Sequence, residues 1–208
     1  MLLFIELCFG DWVYKPWSLL ITLILRLRGV RVGRNLLVNG VPGIKSNGRA
    51  GNILIGDNVR LFGNVDLRVR ENARIILENG VYLDRNCRIV AANEAIVKLC
   101  KRVEVGLHTV INAGTDITIG EDTMLGGYCY LQSSNHGTRR GMTIKSQQHK
   151  YAPISIGSDV WLGGNVTVLP GASIGDGAIL GAKSVVGGNV PEYEMWAGVP
   201  AKFIKSRQ

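Results

Sequence analysis

Residues 156–190 read IGSDVWLGGNVTVLPGASIGDGAILGAKSVVGGNV, and the stretch repeats every six positions. Ile156, Leu162, Val168, Ile174, Leu180 and Val186 are all aliphatic and stand six apart. The next residue is Gly157, Gly163, Leu169, Gly175, Gly181 or Gly187, glycine in every unit but one. Four places after each aliphatic comes Val160, Val166, Ala172, Ala178, Ser184 or Val190, each small or β-branched. No helix has a period of six. A short array of this kind specifies a solenoid, in which each unit buries its apolar face only against its neighbours.

Side chains alternate across a strand, so residues two apart share a face. Each aliphatic and the small residue two places before it therefore point inward together. The residues between them must turn, and Asp159, Asn165, Asp176, Gly177 and Asn189 supply the backbone angles that turns demand. Three units close a triangular coil of about 18 residues, and coils stack at about 4.8 Å.

The pattern extends backwards through Ile119, Leu125 and Leu131, through Val105 and Ile111, through Leu77, Leu83 and Ile89, and through Ile55, Leu61 and Leu67. It predicts about seven coils between Ile53 and Val190. On this reading residues 1–52 form a helical or irregular cap, residues 53–190 the solenoid, and residues 191–208 a C-terminal extension.

The net charge of +8 over 208 residues favours an anionic ligand or surface. Lys and Arg are scattered rather than striped, and no helix-turn-helix, zinc finger or aromatic-basic platform occurs, which argues against nucleic acid. The four cysteines (Cys8, Cys87, Cys100 and Cys129) show no CxxC spacing. Cys87 and Cys129 fall in small inward slots, as core residues of a protein in a reducing compartment would.

Near the N-terminus, Pro16 to Leu25 is apolar apart from Ser18 and Thr22, with Arg26, Arg28 and Gly29 following. Pro in a first turn, basic residues in the last and a trailing Gly predict a short helix. It is too short to span a bilayer, which takes about 20 residues. Met1 to Phe9 is also apolar apart from Glu6, but a signal peptide's charged n-region and cleavage site are missing. Two roles remain open for this helix: a cap on the open end of the solenoid, or peripheral membrane contact through Trp12, Trp17 and the basic residues.

The array fails from Gln132 to Ala152 and resumes at Pro153, which predicts an inserted loop over residues 137–152. Asn135 and His136 stand where the last regular strand ends. Counted from Leu131, His136 points outward, and an exposed imidazole at the root of a loop suits general-base work. His108 falls on a turn. His149 lies within the loop, where a ligand contact and an idle surface residue are both open.

The segment from Asn135 to Lys205 resembles the hexapeptide-repeat acyltransferases, which form a left-handed parallel β-helix. It is similar to the maltose, galactoside and antibiotic acetyltransferase branch, and especially to bacterial O-acetyltransferases of surface polysaccharides. The matching pieces are Asn135-His136-Gly137, Ala152 to Gly157, Val160 to Gly164, Leu169-Pro170-Gly171 with Ile174-Gly175, and Trp196 to Lys202. They cover about a third of the chain.

The resemblance implies an all-β left-handed solenoid that assembles as a homotrimer and binds acetyl-CoA between two chains. It implies transfer of an acetyl group to a sugar hydroxyl in the cytoplasm, with His136 as catalytic base and no metal. Asn135 and Asn112 would touch the acceptor, although Asn112 suits a polar turn equally well. Gly163 and Gly181 would lie against pantetheine, although turn geometry alone accounts for them. Lys202 and Lys205 would meet the CoA phosphates. The family's Thr-Lys after the last repeat is replaced by Gly187-Gly188, which removes one expected phosphate contact.

Three alternatives stand beside this reading. One is N-acetylation of an amino sugar or nucleotide sugar by the same base. Another is a non-catalytic scaffold. The third, a zinc hydratase on the same helix, needs three converging histidines, and the placement of the three in this chain does not suit it.

Overall fold

The computed structural model describes residues 10–47 and 49–208. Cys8 and the rest of the mainly apolar run Met1 to Phe9 lie outside the described residues. The chain winds into a parallel β-solenoid with three faces. Face A stacks eight strands from Arg31–Val32 to Asn189–Val190, and face C stacks seven from Gly43–Asn47 to Val185–Val186. Face B runs from Leu37–Asn39 to Glu194–Ala197, where Lys202–Ser206 folds back antiparallel as its last strand. The three faces share seven full coils.

The inward register follows the six-residue repeat. Ile156, Leu162, Val168, Ile174, Leu180 and Val186 are all buried, and so are the small residues Val160, Val166, Ala172, Ala178, Ser184 and Val190. Of the expected turn residues, Asp159, Asn165 and Gly177 adopt positive φ. Asp176 works otherwise: its carboxylate accepts the Ser158 N–H of the preceding coil at 2.7 Å. The polar members of one inward column satisfy the carbonyls of a corner. Cys87 Sγ donates to Gly106 O at 3.2 Å, Thr109 Oγ1 to Gly126 O at 3.1 Å and Cys129 Sγ to Gly163 O at 3.3 Å. The polar side chains in that column therefore do more than fill space.

Two features differ from the sequence reading. The solenoid begins at Arg31, not at Ile53, because Arg31–Val32 pairs with Leu54–Ile55 and Gly43–Asn47 with Asp66–Arg70. Residues 31–47 are thus the first coil, inside the segment expected as cap, and six full coils rather than seven follow Ile53. Coil length also varies. Successive aliphatics Ile55 and Leu77 on face A lie 22 residues apart, and only later do Ile156 and Ile174 lie 18 apart. The extra residues lengthen early face C strands such as Asp66–Arg70, against two residues in Thr167–Val168.

The helix Lys15–Leu27 closes the first coil with Ser18, Ile21 and Leu25 buried. Its end is a Schellman turn, in which Gly29, at φ +87°, lets Val30 N–H reach Leu25 O at 3.0 Å and Gly29 N–H reach Arg26 O at 2.9 Å.

The inserted loop leaves the stack undisturbed. Ile117 and Ile119 pair with Ile154 and Ile156 across it, as Leu125 does with Leu162. The exposed loop residues from Thr138 to Ser146 can therefore vary without a cost in core packing.

Candidate functional site

The interruption builds a small element of its own. Ser134–His136 leaves face C and pairs antiparallel with His149–Tyr151, so that His136 stands directly opposite His149. The two imidazole rings lie 4.2 Å apart, centroid to centroid, and the His149 ring stacks in turn on Tyr151 at 6.0 Å. All three side chains are exposed. Tyr151 is accommodated by a glycine: a Cβ on Gly114 would sit 2.6 Å from its ring. The ribbon is tied to the coil beneath by Ala152 N–H donating to Ser133 O and by Ser133 Oγ accepting Gly114 N–H, both at 3.1 Å.

Beyond the ribbon the loop folds over a cleft lined by Gly137, Thr138, Arg139, Met142, Gln147 and Lys150. Gln147 holds it closed. Its Oε1 accepts Arg139 N–H at 2.7 Å and its Nε2 donates to Arg139 O at 3.1 Å. Gly137 fits because a Cβ there would meet Gln147 at 2.9 Å. The loop carries Arg139, Arg140, Lys145 and Lys150 and no acidic residue, so the surroundings of the two histidines are cationic.

The expected site residues divide into groups. His136 and Asn135 lie on the ribbon, at the corner where face C turns into face A. Asn112 lies in the face C strand Val110–Ala113, so it is a strand residue and not the polar turn residue that was the alternative reading. Its Cα partner is Gln132, and its carbonyl accepts Ser133 N–H at 3.3 Å, which puts it beside the ribbon's root.

Gly163 and Gly181 lie at a different corner, where face B turns into face C. Both are required by stacking alone. A Cβ on Gly163 would meet Ala182 N at 2.7 Å, and one on Gly181 would meet the Ala197 Cβ at 2.8 Å. Lys202 and Lys205 are exposed on the returning strand at the C-terminal end of face B. One chain therefore does not bring the glycine corner to the histidine corner.

His108 sits on a corner at φ +56°, its ring stacked on Tyr128 at 5.0 Å, as a turn residue should. Among the described residues no group of three or more His, Cys, Asp or Glu converges as metal ligands would. The partner of His136, and the cationic loop around it, are what sequence reasoning missed. The sign was available: residues 137–152 contain four basic residues and no acid.

A parallel β-solenoid of six-residue units, interrupted once by a histidine-bearing ribbon, defines a hexapeptide-repeat protein. Residues 153–188 match the family model described as bacterial transferase hexapeptide (six repeats). It is 32% identical over 212 residues to a "probable acetyltransferase" of Mycobacterium tuberculosis, covering 99% of this chain and 64% of the relative. It is 36% identical over 126 residues to a provisionally named lipopolysaccharide biosynthesis O-acetyl transferase of Escherichia coli, covering 57% of this chain and 64% of the relative. The chain thus matches just under two thirds of the length of each.

Among solved structures, an N-acyltransferase from Bacillus cereus, in complex with dTDP-4-amino-4,6-dideoxyglucose and coenzyme A, aligns with a TM-score of 0.62. It is 19% identical and covers 88% of both chains. A polySia-specific acetyltransferase aligns at 0.51 with 24% identity, over 85% of this chain and 78% of its own. At those identities the likeness is one of fold.

Proposed function

We propose that this chain is an acetyl-CoA-dependent O-acetyltransferase that acts in the cytoplasm on a sugar hydroxyl of a surface polysaccharide or its lipid-linked precursor. The observation that carries the reading is the exposed His136, presented by a ribbon at the one place where the array opens. The names of the two curated relatives, both acetyltransferases, support the same class.

In this mechanism the His136 imidazole takes the proton of the acceptor hydroxyl as its oxygen attacks the thioester carbonyl. The tetrahedral intermediate collapses with cleavage of the carbon–sulfur bond. The acetyl group leaves on the sugar oxygen, and the proton passes from His136 to the departing CoA thiolate. His149, ring against ring with His136, fixes the orientation of the base. Asn112 and Asn135 flank the acceptor.

The division of the site between two corners supports a homotrimer. A threefold assembly that sets the glycine corner of one chain against the histidine corner of the next would complete the site. Acetyl-CoA would then pass along Gly163 and Gly181 with its phosphates toward Lys202 and Lys205, where charge pairing is strong.

Calorimetric titration with acetyl-CoA tests the reading without knowledge of the acceptor. One site per chain, on a species that sediments as a trimer, is the expected result. Absence of binding at millimolar ligand would overturn it in favour of a scaffold. The same base could serve an amino group, and presenting matched sugar alcohols and amino sugars to the enzyme decides between O- and N-transfer.

A further inference from the structure

The helix Lys15–Leu27 is amphipathic in an unexpected sense. Its inner side closes the coil with Ile21, Leu25 and the hydroxyl of Ser18, which accepts Val38 N–H at 2.8 Å. Its outer side carries Leu19, Leu20, Leu23, Ile24 and Leu27, with Leu19 at 73% and Leu27 at 79% exposure. Trp12 and Val41 are also exposed at this end of the chain, at 71% and 61%. A capping helix in water carries polar residues on its outer face. A contiguous apolar patch there marks an interaction surface.

The charge around the patch points to what covers it. From Trp12 to Gly56 the sequence contains seven Lys or Arg and no Asp or Glu, and of the seven Arg34 is paired with Asp57 at 2.8 Å. The Arg26 guanidinium donates to Val32 O and Gly33 O, both at 2.9 Å, and Arg28 to Ile44 O at 3.0 Å. These acceptors are neutral carbonyls and leave both charges uncompensated. Lys15 Nζ stands 3.3 Å above the Trp12 ring, which sets a cation beside an aromatic at the edge of the patch. Among the described residues no helix is long and apolar enough to cross a membrane.

We infer that this end of the solenoid docks on an anionic lipid surface. The helix lies in the plane of the interface, with the row from Leu19 to Leu27 among the acyl chains and the basic residues at the headgroups. A second copy of the chain is a poorer occupant, since it would press two cationic ends together. The inference goes beyond the acyl-transfer reading and does not depend on it.

Sedimentation of the full chain with vesicles tests it. Binding to phosphatidylcholine vesicles containing 30% phosphatidylglycerol at 0.1 M NaCl is expected, with at least tenfold weaker binding to pure phosphatidylcholine or at 0.5 M NaCl. The variant Leu19→Gln/Leu23→Gln/Leu27→Gln should keep its melting temperature while binding anionic vesicles at least tenfold more weakly. Should that variant misfold, Lys15→Glu/Lys45→Glu reads the electrostatic half of the same claim. A wild-type chain that stays in the supernatant, or variants that bind like wild type, would overturn the inference. So would a patch variant that only lowers the oligomeric state, which would give the face to a second copy.

Discussion

At the scale of single residues, His136 and two neighbouring glycines make separable predictions. His136→Ala should lower turnover by roughly 10²–10⁴-fold while acetyl-CoA affinity and melting temperature hold, and full activity in that variant would remove the imidazole from the chemistry. Gly163→Ala pushes a Cβ to 2.7 Å from Ala182 N, whereas Gly164→Ala meets nothing closer than Gly127 O at 3.6 Å. The first should cost about 1–3 kcal/mol and the second almost nothing, as thermal melts of the two variants would tell.

Burial pushes the Cys87 thiol up to about 12 and raises that of Cys129 as well. At pH 8 neither should react with Ellman's reagent until the chain unfolds, and peptide mass spectrometry identifies which thiols are labelled. The outward direction of His136 was legible by counting alternate residues from Leu131. Its pairing with His149 was not, because twelve residues lie between them and only hydrogen bonding across the ribbon sets them opposite one another.

At the scale of elements, legibility followed the strength of the apolar signal. The helix was readable from Pro16, Arg26 and Gly29, and its end is the Schellman turn that Gly29 permits. The first coil was in the sequence too, since Val32, Val38 and Ile44 stand six apart. Only one of the three is followed by glycine, however, so the repeat signal is weak there. The strand His149–Tyr151 has all three side chains exposed, so no buried face imposed a pattern on it. The loop above it hangs on Gln147, whose amide bonds both backbone groups of Arg139. Gln147→Ala should raise the hydrogen-exchange rate of the Arg139 amide by about tenfold or more while the coil amides stay protected. Unchanged exchange would mean the loop is closed by other contacts.

At the scale of the whole molecule, stability is spread along a stack in which each coil is held by its neighbours. Leu180 is buried, and Leu180→Asp would place an uncompensated charge there at a cost of several kcal/mol. That is comparable with the total stability of an ordinary domain. Loss of the cooperative melt is expected, and a variant that melts like wild type would disprove the inward register. The fold was legible because its period is short and nearly invariant from Ile156 onward. The division of the candidate site between two corners was not, since it depends on which turn of the triangle each residue occupies.

The parallel stack also measures distance. The helix rests on the first coil, and His136 leaves the fifth, so four coil spacings, about 20 Å in all, separate the helical end from the imidazole. The core is continuous over that span. With the helix seated on a bilayer, the solenoid is a gauge that holds its chemistry at one height above the headgroups. On a growing, lipid-anchored glycan it would modify only units standing at that height. Inserting or removing one whole coil below Ile117 would shift the height in a single step of about 4.8 Å.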